Sequence, residues 1–178
     1  MNNYSQIIMQ KAKNIKLLIC DVDGVLSNGK VYYSNQGEEL KSFNIKDGLG
    51  IKQLLKQGIE LAIITGRQSE IVKKRASELG IQHIYQGKSD KQQAYNQLLE
   101  QLQIVPSQVA YVGDDLPDLP LMKQSGLSIS VKDGYYLLLE QADWVTQAIG
   151  GNGAVREITD LILFAQDKLA AIHQSYKH

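Results

Sequence analysis

Short, nearly unbroken apolar runs alternate along this chain with longer segments in which apolar residues return every three or four positions. Runs of the first kind predict strands covered on both faces; the second kind predicts helices that bury one side. The strands are expected at 17–22 (opening Leu17-Leu18-Ile19-Cys20), 59–64, 81–85, 109–112 and 127–131, with Trp144-Val145 as an edge. Helices are expected at 3–13, with Ile7, Ile8 and Ala12 on one side, and from Asp47, read as a cap, to about Gln57, with Gly58 as the stop. Further helices follow at 69–79, at 90–102 with Ala94, Leu98, Leu99 and Leu102 on one face, up to about Gln124, at 134–141, and at roughly 153–172 after Gly150-Gly151-Asn152-Gly153. This order predicts an α/β fold: a doubly wound, mostly parallel sheet between layers of helices. One stretch breaks the alternation. Two β-prone runs, Lys30–Tyr33 and Leu40–Ile45, flank Ser34-Asn35-Gln36-Gly37, which predicts a β-hairpin over about 29–45 projecting from the body. A lone hairpin is marginal in water, so packing against another subunit is expected.

Size and composition narrow the picture. The 178 residues suit one domain spanning 1–178, and three prolines give no linker. Nineteen basic and nineteen acidic residues cancel, and no basic stripe interleaves with aromatics, so nothing favours nucleic acid. No apolar stretch reaches membrane-spanning length, and residues 1–16 lack the core of a signal peptide. The one cysteine, Cys20, reads as a small buried hydrophobe, and a reducing cytoplasm fits.

The chemistry gathers at strand ends. Asp21 and Asp23 close the first strand, Thr65 the second and Asp114 the fourth, while Lys91 opens a helix, with Lys88 as its rival. In a parallel sheet these groups face one crevice at the carboxyl ends. Two acids this close repel unless a cation lies between them, or one is a nucleophile and the other a proton carrier. Oxygen donors with almost no His or Cys nearby favour Mg²⁺ over Zn²⁺. A hydroxyl, an ammonium and turn amides suit phosphoryl oxygens. Asp115 and Asp118 either serve a helix dipole or support the site. His83, His173 and His178 fit no ligand pattern.

Asp21-Val-Asp23-Gly-Val, Thr65-Gly, Lys91 and Gly113-Asp114-Asp115-Leu-Pro-Asp118 resemble, in order, the four motifs of the haloacid dehalogenase superfamily of phosphohydrolases. The resemblance implies that Asp21 attacks phosphorus to form an aspartyl-phosphate, that Asp23 protonates the leaving alcohol and then activates water, and that Thr65 and Lys91 bind the phosphoryl oxygens. It further implies Mg²⁺ on the Asp21 carboxylate, the Asp23 backbone carbonyl and the Asp114 carboxylate, with Asp115 or Asp118 ligating through water or orienting Lys91.

Over nearly the whole chain the sequence is similar to the family of 3-deoxy-D-manno-octulosonate 8-phosphate phosphatases of lipopolysaccharide sugar synthesis. Phe43-Asn-Ile-Lys46-Asp47-Gly48, Thr65-Gly-Arg67-x-Ser69, Arg75-Ala-x-Glu-Leu79-Gly80, the run 109–120 and Gly150-Gly-Asn-Gly-Ala-Val-Arg156-Glu157 carry that resemblance. It implies no large cap domain, and a homotetramer in which projecting hairpins let a neighbour help close each site. Two departures lie outside the four motifs: Asp133-Gly134-Tyr135-Tyr136 where the family has an Asp-Ala-His-Pro-like run, and Asn152 where it has arginine. Phosphatases of nine-carbon sialic-acid-type 9-phosphates stay open as an alternative, as do a phospho-accepting signalling domain and a non-catalytic oligomerising module. An acidic sugar phosphate needs further cations for its carboxylate, and Arg67, Lys46 and Arg156 are the candidates. Gly150–Gly153 reads as a plain loop or a mobile stretch that gates the crevice.

Overall fold

In a computed structural model, residues 4–177 are described; Asn3, the expected start of the first helix, and His178 lie outside them. The chain order is α1 (Gln6–Lys13), β1 (Leu17–Cys20), a tight turn Val22–Leu26, β2 (Tyr32–Tyr33), β3 (Glu39–Leu40), α2 (Ile45–Lys56), β4 (Glu60–Ile64), α3 (Glu70–Leu79), β5 (His83–Tyr85) and α4 (Lys91–Leu102). It continues with β6 (Val109–Gly113), α5 (Leu119–Gln124), β7 (Leu127–Ser130), α6 (Tyr136–Gln141), β8 (Trp144–Val145), α7 (Ala154–Ala165) and α8 (Leu169–Ser175).

The main sheet runs β5-β4-β1-β6-β7-β8, and each neighbouring pair is parallel. β1 lies between β4 and β6, with Leu18 level with Leu61 and Ala110. Its unbroken apolar run follows from that place. Leu18 and Cys20 pack into the layer of α1, α2, α3 and α7, whereas Leu17 and Ile19 pack into the layer of α4, α5 and α6. Each fully buried leucine or isoleucine contributes about 1.5–3 kcal/mol. From β1 the chain leaves towards β4, and from β6 towards β7. The carboxyl ends of β1 and β6 therefore flank the point where the winding reverses, the place where such sheets hold ligands.

Several boundaries differ from the sequence reading. β1 stops at Cys20, because the chain turns away after Asp21, and Gly24, at φ +94°, reverses it. The final helix is two helices, broken where Asp167 takes φ +59°. Ile7 is exposed, so Ile8 and Ala12 alone form the buried side of α1. α2 starts at Ile45 behind Asn44, whose side chain accepts from Lys46 N (2.8 Å). Asp47 caps a different helix: its oxygens accept from Gly153 N (3.2 Å) and Arg156 N (2.7 Å), ahead of and within the first turn of α7. The β2–β3 hairpin, shorter than expected, rejoins the body through a bridge between Ser27 and Phe43.

Candidate active site

At the end of β1, Asp21 stays extended and donates its N–H to Val112 O (3.2 Å), which ties it to β6. The following turn needs glycine twice over. Gly24 has positive φ, and a Cβ there would lie 2.0 Å from Asp114 Oδ2. Lack of a side chain lets the first and fourth motifs approach one another.

Lys91, the first residue of α4 behind the Asp90 cap, is buried and donates to Asp21 Oδ1 (2.9 Å) and Asp118 Oδ1 (2.7 Å). Asp118, also buried, accepts in addition from Tyr111 Oη (2.8 Å) and Asp114 N (3.2 Å). Its oxygens are thus committed to donors, and it serves as the counter-charge that fixes Lys91. Asp115 has the helix role instead: it accepts from Leu116 N (2.8 Å). A buried ammonium is costly unless paired, which is why Lys91, and not Lys88, sits at the base of the site; Lys88 is on the wall.

Thr65 is buried after β4, its N–H donating to Tyr85 O (2.9 Å) and its carbonyl accepting from Lys88 N (3.1 Å). Asp21, Asp23, Thr65, Arg67, Lys91 and Asp114 all line one cleft of about 380 Å³.

The cleft is short of positive charge. Burial and then Asp118 hold Asp21 above the ordinary carboxylate range, against the pull of Lys91. Burial, then Asp21 and Asp118, push Asp114 up to about 8. Burial draws Lys91 down, but Asp21 and Asp118 outweigh it and its pKa is raised. Among the described residues, carboxylate oxygens of Asp21, Asp114 and Asp118 lie within 4.8 Å of one another.

Asp23 does not point into that cluster. Its Oδ1 accepts from Lys41 Nζ (2.5 Å) and Ser27 Oγ (3.3 Å), and its Oδ2 faces Arg67 Nε at 3.7 Å. Arg67 in turn donates from Nη2 to Glu39 Oε1 (3.0 Å) and Tyr33 Oη (3.2 Å). The hairpin thus packs against Arg67 and Asp23 at the edge of its own chain's cleft. Sequence reasoning missed Glu39 and Lys41. The signal was the alternation of Glu39, Lys41 and Phe43, which sets them on one side of an extended run.

Two expected substrate cations are elsewhere. Lys46 is exposed on α2. Arg156 donates from Nε to both Asp160 oxygens (2.9 Å each) and lines a groove beside Leu49 and Tyr176. Arg156 lies on the side of α7 that meets α2, its backbone and Cδ close to Gly50, while Ala154 and Val155 face the core of β1. Gly150–Gly153 is tied down at three points. Gly150 N donates to Asp133 Oδ1 (2.9 Å), Gly151 N to Val25 O (2.8 Å) in the turn after Asp23, and Gly153 N to Asp47 Oδ2 (3.2 Å) on α2. In the divergent run, Tyr135 N donates to Asp114 O (2.7 Å), so that run braces the Asp114 loop. Asn152 is exposed.

Comparison with known proteins gives one consistent result. A family model described as haloacid dehalogenase-like hydrolase matches residues 76–158. The chain is 59% identical to the 3-deoxy-D-manno-octulosonate 8-phosphate phosphatase of Yersinia pestis, over 91% of this chain and 87% of that protein. It is similar to the crystal structure of the Moraxella catarrhalis 3-deoxy-D-manno-octulosonate 8-phosphate phosphatase in complex with magnesium, phosphate and KDO (TM-score 0.95, 48% identity, 97% of this chain and 99% of that one). It also matches the cobalt-bound Haemophilus influenzae enzyme named as the same phosphatase (TM-score 0.90, 41% identity, 95% and 100% covered).

Proposed function

The chain belongs to the haloacid dehalogenase-like hydrolases and is a phosphatase of that family; on that premise we propose that it hydrolyses 3-deoxy-D-manno-octulosonate 8-phosphate through an aspartyl-phosphate on Asp21. One observation carries the reading. Asp21, Lys91, Asp114 and Asp118, brought from three separate segments, meet at the β1/β6 switch point with Thr65 in the same wall. The substrate follows from the names of the relatives, and Arg67 on the rim suits a sugar-acid carboxylate.

In the first step the Asp21 carboxylate bonds to phosphorus, the ester P–O bond breaks, and Asp23 gives its proton to the departing alkoxide. In the second, Asp23 takes a proton from water, the hydroxyl oxygen bonds to phosphorus, and Asp21 is released with inorganic phosphate. Thr65 and Lys91 hold the phosphoryl oxygens, and Asp118 holds Lys91. Phosphoryl transfer asks mainly for such positioning and charge neutralisation.

The donor set fits Mg²⁺: it is all oxygen, and Asp114, raised by its burial and then by Asp21 and Asp118, lies among carboxylates close enough to share one cation. The Asp21 and Asp114 carboxylates and the Asp23 carbonyl would hold the ion. When bound, it supplies positive charge to the phosphoryl group. A homotetramer in the cytoplasm completes the proposal. It is supported by the exposed side chains Tyr33 and Leu40 of the hairpin and Ile45 at the start of α2, and by the buried, unpaired Cys20.

The test is phosphate release, with Mg²⁺ and with chelator, from the eight-carbon acid 8-phosphate, a nine-carbon acid 9-phosphate and neutral hexose phosphates. The eight-carbon acid should give the highest kcat/KM, chelator should abolish release, and Asp21→Asn should be inactive. Preference for another ester overturns the substrate; release by Asp21→Asn overturns the reaction.

A further inference from the structure

Lys41 is the least expected side chain in the molecule. It belongs to a hairpin whose neighbouring residues Tyr33 and Leu40 are 67% and 62% exposed, yet its own side chain is 1% exposed. Burying an ammonium and ordering a four-carbon stem both cost free energy, so something specific must hold it. Its partners are Asp23 Oδ1 at 2.5 Å and Glu39 Oε1 at 3.3 Å. The segment is fixed close by, because Phe43 bridges to Ser27, whose Oγ donates to the same Asp23 oxygen. Lys41 and Ser27 therefore both occupy Oδ1. Oδ2 is left as the oxygen towards Arg67 Nε (3.7 Å) and the cleft, with no closer polar partner recorded among the described residues.

We propose that Lys41 is a positioning residue for Asp23: by committing Oδ1, it fixes the carboxyl rotamer and presents Oδ2 to the leaving-group oxygen. The β2–β3 hairpin is then part of the reaction centre of its own chain, in addition to any part in assembly. Lys41 does not line the cleft, so it acts through Asp23 and not on the substrate. This inference rests on the assignment of Asp23 as proton carrier, made above. A proton transfer that needs heavy atoms within hydrogen-bond reach is sensitive to the orientation of the carboxyl group.

Leaving-group dependence in the first turnover tests the idea. A sugar alkoxide needs a proton to leave; p-nitrophenolate does not. Lys41→Met keeps the stem and removes the charge. It should slow release of the sugar from 3-deoxy-D-manno-octulosonate 8-phosphate by about tenfold or more, and release of p-nitrophenolate from its phosphate ester by less than about threefold. Lys41→Arg should recover most of the loss. Asp23→Asn should show the same leaving-group dependence, and adding Lys41→Met to it should slow the enzyme no further, since residues acting through one group are not additive. Equal losses on both esters by Lys41→Met, or no loss on either, overturn the Lys41 assignment even if Asp23→Asn behaves as expected. If Asp23→Asn itself lacks the dependence, the assignment of Asp23 fails first and that of Lys41 with it.

Discussion

At the scale of the residue, the site is an excess of carboxylates arranged around one buried ammonium. Asp118 spends both oxygens on donors, so its loss leaves Lys91 with a single partner. Asp118→Asn is expected to lower kcat by about tenfold or more and stability by about 1–3 kcal/mol, read by steady-state kinetics and denaturant unfolding. A second expectation concerns pH. Asp114 is raised from 3.8 to about 8, so over that range the folded, metal-free protein binds a proton that the unfolded chain has released. Stability should therefore fall as the pH rises from about 4 to 8 and level off above. Mg²⁺ should raise Tm more above pH 8 than near pH 4, because only the ionised carboxylates gain from the cation. A scan in which chelator leaves Tm unchanged at the higher pH would remove the cation from the site.

At the scale of the element, the catalytic turn is held by a loop from the far end of the chain. A Cβ on Gly150 would lie 1.6 Å from Gly24 O, and one on Gly151 would lie 2.4 Å from Asn28 N. Gly150→Ala must push the Asp23–Val25 turn out of place. It is expected to destabilise the protein by about 3 kcal/mol and to lower kcat more than it raises KM, in thermal melts and initial-rate assays. Asp47 joins α2 to the same loop. Asp47→Ala strands two N–H groups at the start of α7 and should cost about 1–2 kcal/mol of stability. The sequence marks Asp47 as a cap, because aspartate beside a helix start is a local sign. It cannot say which helix is capped, since that partner lies more than a hundred positions away.

At the scale of the whole molecule, the hairpin faces two ways. Glu39 and Lys41 pair with Arg67 and Asp23 of the cleft wall, while Leu40 and, at the start of α2, Ile45, 62% and 81% exposed, face outwards. That outer face is the surface on which assembly is expected. Leu40→Lys with Ile45→Asp should shift the proposed tetramer to smaller species in light scattering or sedimentation, with the fold kept; a mass unchanged by the pair would place any interface elsewhere. The amino-acid sequence by itself determined the alternation of strands and helices, the parallel sheet, and the strand-end residues Asp21, Thr65 and Asp114 with Lys91 beside them. Those features follow from local periodicity and from chemistry placed at the ends of apolar runs. Only the tertiary structure decided that Asp118 braces Lys91, that Asp23 turns to Lys41, that Arg156 serves a surface pair, and that the glycine loop is clamped. Except for Arg156 and Asp160, one helical turn apart on α7, these join groups whose spacing along the chain carries no period. Their partners are chosen by how the two helical layers and the hairpin close around β1, where a buried charge is tolerated only beside its opposite.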